Sequence, residues 1–282
     1  MATFSFKLDQ NKIVKLKETF SEYIKPNPNE YIDTFIQKDD LTISIYKSNK
    51  VVFQGNDAFF YAQAYIDIKV TRQAGSDEVG TGDCFGPVVV CASIVEESDF
   101  DFIEVNHITD SKALTDEYIR KIGPVLIEKF KHSLLILDNK TYNKVHEIDN
   151  LNAIKAKMHN KAYINMKNKG YDIPKALYVD EFCPEADYFA YLDGEKDIYR
   201  DLIFETKAES KYPAVAVSSI ISRYAFLDYM DKLNKKYGLD FPKGSSDILN
   251  INRTIELFLS KYPKNELENV AKLHFKNFDS YR

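Results

Sequence analysis

"GSDEVGTGDCFGPVV", residues 75–89, sets Asp77, Glu78 and Asp83 among four glycines and a proline, and then enters an apolar run. Two readings are open. The stretch is a polar turn ahead of a strand, or it is a carboxylate site whose glycines let a bulky, charged ligand come close. The glycines at 75, 80, 82 and 86 lack the spacing and the Lys-Ser/Thr of a phosphate-cradling loop. The run that follows, "PVVVCASIV" (87–95), is dense in β-branched residues, as a strand covered on both faces would be. Further runs of that kind, "SLLILD" (133–138), "ALYVDEF" (176–182) and "DLIFETK" (201–207), alternate with stretches of helical period. Residues 115–130 and 151–170 are two of these, Gly170 stopping the second. A third starts near Pro213 and stops at Gly238. The alternation predicts an α/β unit over residues 73–282, its sheet buried by helices.

Residues 1–66 read differently. "TFSFKL" (3–8) alternates like a half-buried strand, and "DQNKIVKLKETFSEYI" (9–24) carries Ile13, Leu16, Phe20 and Ile24 on one helical face. Three more strands, "YIDTFIQ", "LTISIYK" and "VVFQG", lead to a helix capped by Asn56 or Asp57. This order, β-α-β-β-β-α, predicts a small α+β domain, joined by a polar linker at 67–72.

Composition bounds the function classes. With 282 residues and 44% apolar content the chain can bury two cores. A net charge of −5 gives no global basic field. Three cysteines without CxxC spacing argue against a zinc site or a disulfide framework and for reduced thiols, so the expected compartment is the cytoplasm. No segment nears the ~20 apolar residues of a membrane helix, and the start "MATFSFKLDQNK" has no signal-peptide pattern.

Acids recur where strands of the predicted sheet end: Asp77 and Glu78, Asp180 and Glu181, then Glu209, with Asp110 in "ITDSKAL". Each alone suits a cap or a solvated turn. Together, at the ends of different strands, they match where open α/β sheets assemble sites. Oxygen-only ligands suit a hard cation such as Mg²⁺. With no HExxH, no serine-nucleophile turn and no nucleophilic side chain singled out, the chemistry suggested is metal-assisted water attack on a phosphodiester.

"GSDEVGTGDCFGPVVV", "DSKAL", "YVDEF" and "KAESKYPAVAVSSIISRYAFLD", in this order, resemble ribonuclease HIII, a bacterial type 2 ribonuclease H. The resemblance covers the whole chain. It implies a ribonuclease H-like catalytic domain with a central mixed sheet flanked by helices. It also implies that residues 1–66 fold like half of the TATA-box-binding protein and bind substrate. The family's catalytic and metal-binding acids fall on Asp77, Glu78, Asp180 and Glu209. A Glu at the last position, where the sibling ribonuclease HII has Asp, favours HIII. The implied activity is endonucleolytic cleavage of RNA in RNA–DNA hybrids with two divalent cations, Mg²⁺ or Mn²⁺, leaving 5′-phosphate and 3′-hydroxyl ends. Gly80, Thr81 and Gly82 match the loop that meets the ribose. Ser111, Lys112, Lys207 and Lys243 are candidate contacts to the nucleic-acid backbone, with Asp110 orienting Lys112 or capping a helix. Asp83 and Glu181 read as local hydrogen-bonding residues, and Cys84 stands where relatives often carry an aromatic. The expected partner is the hybrid duplex, bound by a monomer with no membrane association. Excision of single ribonucleotides from DNA, or hybrid binding without cleavage, are the alternatives.

Overall fold

A computed structural model of the chain describes residues 2–55, 58–63, 65, 71–106, 108 and 114–281. The chain divides into two compact units, residues 1–69 and 70–282.

In the first unit β1 (Ala2–Lys7), α1 (Gln10–Thr19), β2 (Ile24–Lys25), β3 (Ile32–Lys38), β4 (Leu41–Tyr46), β5 (Lys50–Gly55) and α2 (Ala58–Gln63) follow in order. The strands form one antiparallel sheet, β1-β5-β4-β3-β2. The period-2 pattern turns Ile36, Ile43, Ile45, Val51 and Phe53 to one face, where they pack with Ile13, Leu16 and Phe20. Asp9 caps α1, its carboxylate accepting from the Lys12 N–H at 2.9 Å.

The helix expected to run to Ile24 stops at Thr19, and Ile24 pairs with Ile36 as a strand residue, 44% exposed. A 3-10 turn at Ser21–Tyr23 follows α1, and Pro26, which disfavours helical backbone at Lys25, draws the chain out after it. Asn56 and Asp57, the expected caps of α2, lie outside the described residues.

The second unit contains β6 (Gln73–Val79), β7 (Val88–Val95), α3 (Phe100–Val105), α4 (Asp116–Lys129), β8 (His132–Leu137), α5 (Asn139–His146), α6 (Leu151–Asn168), β9 (Leu177–Asp180), α7 (Glu185–Ala190), β10 (Ile203–Glu205), α8 (Pro213–Tyr237) and α9 (Ile248–Lys261). Its mixed sheet has the order β10-β9-β6-β7-β8. The pairs β6–β9 and β9–β10 are parallel, and β6–β7 and β7–β8 antiparallel. Every residue of β7 is buried, because α8 covers one face of the sheet and α6 the other. This helix–sheet–helix layering explains the uninterrupted apolar run of β7. Pro213 opens α8, and Gly238, at φ 57°, closes it. Among the described residues no helix is long and apolar enough to cross a membrane.

Candidate active site

Strands β6 and β9 run side by side in the same direction, with Ser76 opposite Val179. One step further along each strand stand Asp77 and Asp180, so the register alone makes these two acids neighbours. Parallel pairing at the sheet centre thus turns a distance of over a hundred residues in sequence into a single carboxylate-lined edge. Glu205 of β10 lies opposite Asp180. The chain then makes a tight turn through Lys207, held in the left-handed region at φ 55°, and enters a 3-10 turn at Ala208–Ser210. Backbone strain of this kind in a lysine is tolerated where the surroundings impose it. The turn lets the Ala208 N–H donate to Asp180 Oδ1 at 2.9 Å and buries Glu209, 6% exposed, beside it.

Asp77 is equally buried. Its carboxylate accepts from the Glu78 N–H at 2.7 Å and from the side chain of Ser219, which α8 presents to the strand. The Ser222 hydroxyl donates to the Asp77 carbonyl at 3.3 Å. Burial, the negative charge of Glu78 and that of Asp180 together hold the Asp77 carboxyl well above the usual range, against the pull of the Ser219 hydrogen bond.

Glu78 points across to α6. Lys155 Nζ donates to its Oε1 at 3.0 Å, and His159 Nε2 lies 2.9 Å from Oε2. The other ring nitrogen, Nδ1, is 2.7 Å from Ser76 Oγ, and the imidazole is stacked on Phe182 with centroids 5.4 Å apart. Lys155 Nζ sits 3.9 Å from the centroid of the same phenyl ring. Burial alone would push Glu78 up, but the His159 hydrogen bond and the charges of His159 and Lys155 overcome it and bring the group down to about 2. Neighbouring carboxyls are therefore driven in opposite directions.

This lysine–histidine pair was not among the residues singled out from sequence. Its signal is present in "LNAIKAKMHNKAY": two ionisable residues four apart on one helix face, in line with Ala162 and among the buried Ile154, Ala156 and Tyr163. Among the described residues, no three Asp, Glu, His or Cys side chains stand together as a ready metal shell. No lysine, arginine or histidine among them forms an ion pair with Asp77 or Asp180, and the Asp77 carboxyl is raised first by burial and then by the charges of Glu78 and Asp180. Glu78, by contrast, is already matched by Lys155.

The expected substrate contacts fall in different places. Gly80, Thr81 and Gly82 follow β6 directly. At Gly80, φ is 93° and a Cβ would lie 2.1 Å from the Pro87 carbonyl oxygen, so the chain itself requires glycine. At Gly82 nothing within 4 Å would meet a Cβ, and the residue is exposed. Lys207 is exposed beside Glu209's turn. Lys243, half-exposed, pairs with Asp116, which also binds Arg223 at 2.6 Å. Burial notwithstanding, hydrogen bonds from Lys243 and Arg223 lower the Asp116 carboxyl. Asp110, Ser111 and Lys112 lie outside the described residues. Asp83 accepts from the Gly244 N–H, a local role as expected, and Glu181 is exposed, its N–H donating to the Glu205 carbonyl at 3.1 Å. Cys84, Cys91 and Cys183 are free and buried.

A family model described as Ribonuclease HII matches residues 74–278, and one described as a domain of unknown function (DUF3378) matches residues 3–77. Ribonuclease HIII of Streptococcus mutans serotype c is 37% identical over 295 residues, spanning 98% of this chain and 96% of that protein. Ribonuclease HIII of Lactococcus lactis subsp. cremoris is 36% identical, spanning 96% and 95%. A crystal structure of Bst-RNase HIII in complex with Mn²⁺ superposes with a TM-score of 0.74 at 31% identity, covering 99% of this chain and 98% of that one. The ribonuclease H2 of Pyrococcus horikoshii OT3, at 22% identity and a TM-score of 0.62, covers 75% of this chain and 97% of its own and shares the fold. With similarity along both units and the acidic strand ends in the matched region, the chain belongs to the ribonuclease HII family, in its ribonuclease HIII branch.

Proposed function

We propose that the chain hydrolyses the RNA strand of RNA–DNA hybrids at the edge formed by Asp77, Glu78, Asp180 and Glu209, with divalent cations as cofactors. The observation that carries this reading is the place of Asp77 and Asp180, each one step past the paired Ser76 and Val179 on adjacent parallel strands, with the Asp77 carboxyl held high by burial and like charge. Asp77, Asp180 and Glu209 would hold two ions, Mg²⁺ or Mn²⁺, with Glu78 completing the shell from its Lys155–His159 seat. Bound there, such ions supply an activated water and stabilise the leaving oxygen, giving 5′-phosphate and 3′-hydroxyl ends. The chain's own part is to fix the carboxylates. Ser219 and the Glu78 N–H orient Asp77, the Ala208 N–H orients Asp180, and Lys155 with His159 orient Glu78. Gly82, with open space at its Cβ position, lets a ribose approach the backbone, where a 2′-hydroxyl can be both donor and acceptor.

Asp180→Asn tests the assignment. It keeps the size and the acceptor for Ala208 but removes the charge, so cleavage should fall at least on the order of a hundredfold while hybrid binding persists. Retained cleavage in Mg²⁺ and in Mn²⁺ would refute it. A duplex with a single embedded ribonucleotide, assayed beside a continuous hybrid, separates this activity from single-ribonucleotide excision.

The N-terminal unit, residues 1–66 in this reading, grips the hybrid away from the cut through its sheet and the lysines of α1. Its removal should raise KM more than it lowers kcat; a truncated chain that binds hybrid as tightly as the full one would refute the idea. A monomer working in the cytoplasm completes the proposal, the three buried free thiols being suited to a reducing compartment.

A further inference from the structure

Lys272 is fully buried, and among the described residues it forms no ion pair. Its Nζ donates instead to two backbone carbonyls of one loop, Asp83 O at 2.9 Å and Gly86 O at 2.6 Å. Its own N–H donates to the Cys84 carbonyl at 2.8 Å, and the Gly86 N–H to the Val270 carbonyl at 3.1 Å. Phe85 bridges Ala271. From other directions the Cys84 N–H donates to Gly244 O at 3.2 Å and Asn139 Nδ2 to Gly86 O at 2.8 Å. The chain between Gly82 and Pro87 is thus sewn along its inner side to residues 270–272, which arrive from nearly two hundred positions away.

Buried carbonyls need donors. The Gly86 carbonyl, buried, and the Asp83 carbonyl three residues before it, partly buried, converge on one ammonium. Burial brings the ammonium down to about 7, with Asp83 and Cys84 opposing the shift. A group kept in the interior at such a cost to its charge is there for its donors and its reach. The inward turn of Asp83 and Gly86 leaves Gly82 at the outer edge of the same loop, exposed.

We propose that Lys272 is a specificity-determining positioning residue, fixing the curve of residues 80–86 so that the backbone at Thr81–Gly82 meets a ribose and not merely a phosphate. This rests on the reading of that loop under the proposed function. The test uses the full chain carrying Asp180→Asn, with affinities measured by fluorescence anisotropy for an RNA–DNA hybrid and for an all-DNA duplex of the same sequence. Adding Lys272→Met should weaken hybrid binding roughly tenfold while leaving the DNA duplex within about twofold, a loss of selectivity and not of general affinity. Lys272→Gln, which keeps a shorter donor, should fall between. In the chain with Asp180 intact, KM for hybrid should rise more than kcat falls.

Unchanged selectivity in both variants overturns the proposal, as does a parallel loss of both affinities with a falling Tm. Failure of both variants to fold would make Lys272 a core residue and overturn it as well. Gly82→Ala in the same assay separates the two layers. If it lowers selectivity and Lys272→Met does not, the loop reads ribose without help from Lys272. If neither does, the loop reading itself falls.

Discussion

Lys155 and Lys272 are both buried against the chain around the end of β6, and they meet opposite partners. Lys155 faces the carboxylate of Glu78, with His159 on the other oxygen, and the pair holds Glu78 down at about 2. Lys272 faces two carbonyls and is itself brought down to about 7. At the first position the protein sets a positive charge against one acid, while among the described residues Asp77 and Asp180 beside it have no ion-pair partner. At the second it uses a lysine as a long double donor. The difference separates the two tasks of the region: charge is balanced selectively at the carboxylate edge, and shape is fixed at the loop.

Lys155→Met is the strongest way to break this comparison. The substitution keeps the stem and the contact with Phe182 but leaves Glu78 on His159 alone. Residues that orient a metal-binding group typically contribute about 10–100-fold, and kcat should fall by roughly that much with KM changed less than about twofold. Lys155→Arg should recover part of the loss. A kcat equal to that of the unsubstituted chain would mean that the charge on Glu78 needs no partner, and Lys155 would then be a packing residue.

Gly82→Ala sharpens the other side. Gly80 is fixed by the protein, since a Cβ there would strike the Pro87 carbonyl. Gly82 is not: among the described residues nothing beyond its chain neighbours lies within 4 Å of a Cβ there, and its φ is not in the left-handed region. An approaching ligand would give that glycine a steric reason. The alanine variant should fold with unchanged Tm and bind hybrid roughly tenfold more weakly, the effect of one methyl forced into a close contact of about 1–3 kcal/mol. Full affinity would show that the sugar passes elsewhere.

The parts of this arrangement legible in sequence are those set by local pattern. The β-branched run of β7 announces a doubly covered strand, Pro213 and Gly238 mark the ends of α8, Asp77 and Glu78 stand out among glycines, and Asp180 as a charge at the end of an apolar run. What escaped depends on contacts across long separations. Lys155 and His159 look like surface residues of an alanine-rich helix until Glu78, some eighty positions earlier, is placed beneath them. Lys272 sits in "AKLHFKN", where nothing local distinguishes it from the exposed lysines nearby. Ile24 misled for the reverse reason: its spacing fits the face of α1, but Pro26 two residues on overrides the periodicity. The ion pair of Lys243 with Asp116 was equally hidden, because Asp116 begins a helix far back in the chain.

The smallest effect separates the two lysines by proton linkage. In the unfolded chain Lys272 has its ordinary value, 10.5, and in the folded chain about 7. Below 7 it is charged in both states, and the folded state carries the full cost of a buried ammonium. Between 7 and about 10 the unfolded chain binds more protons than the folded one, so this group's contribution to stability rises with pH. Other groups titrate in the same window, buried tyrosines and cysteines among them, so the measurement is the difference in Tm between the unsubstituted chain and Lys272→Met. That difference should move in favour of the lysine by a few degrees from pH 6.5 to pH 9. A flat difference would mean that Lys272 has a compensating charge in the folded protein, as Glu78 gives Lys155, and the contrast between the two lysines would collapse.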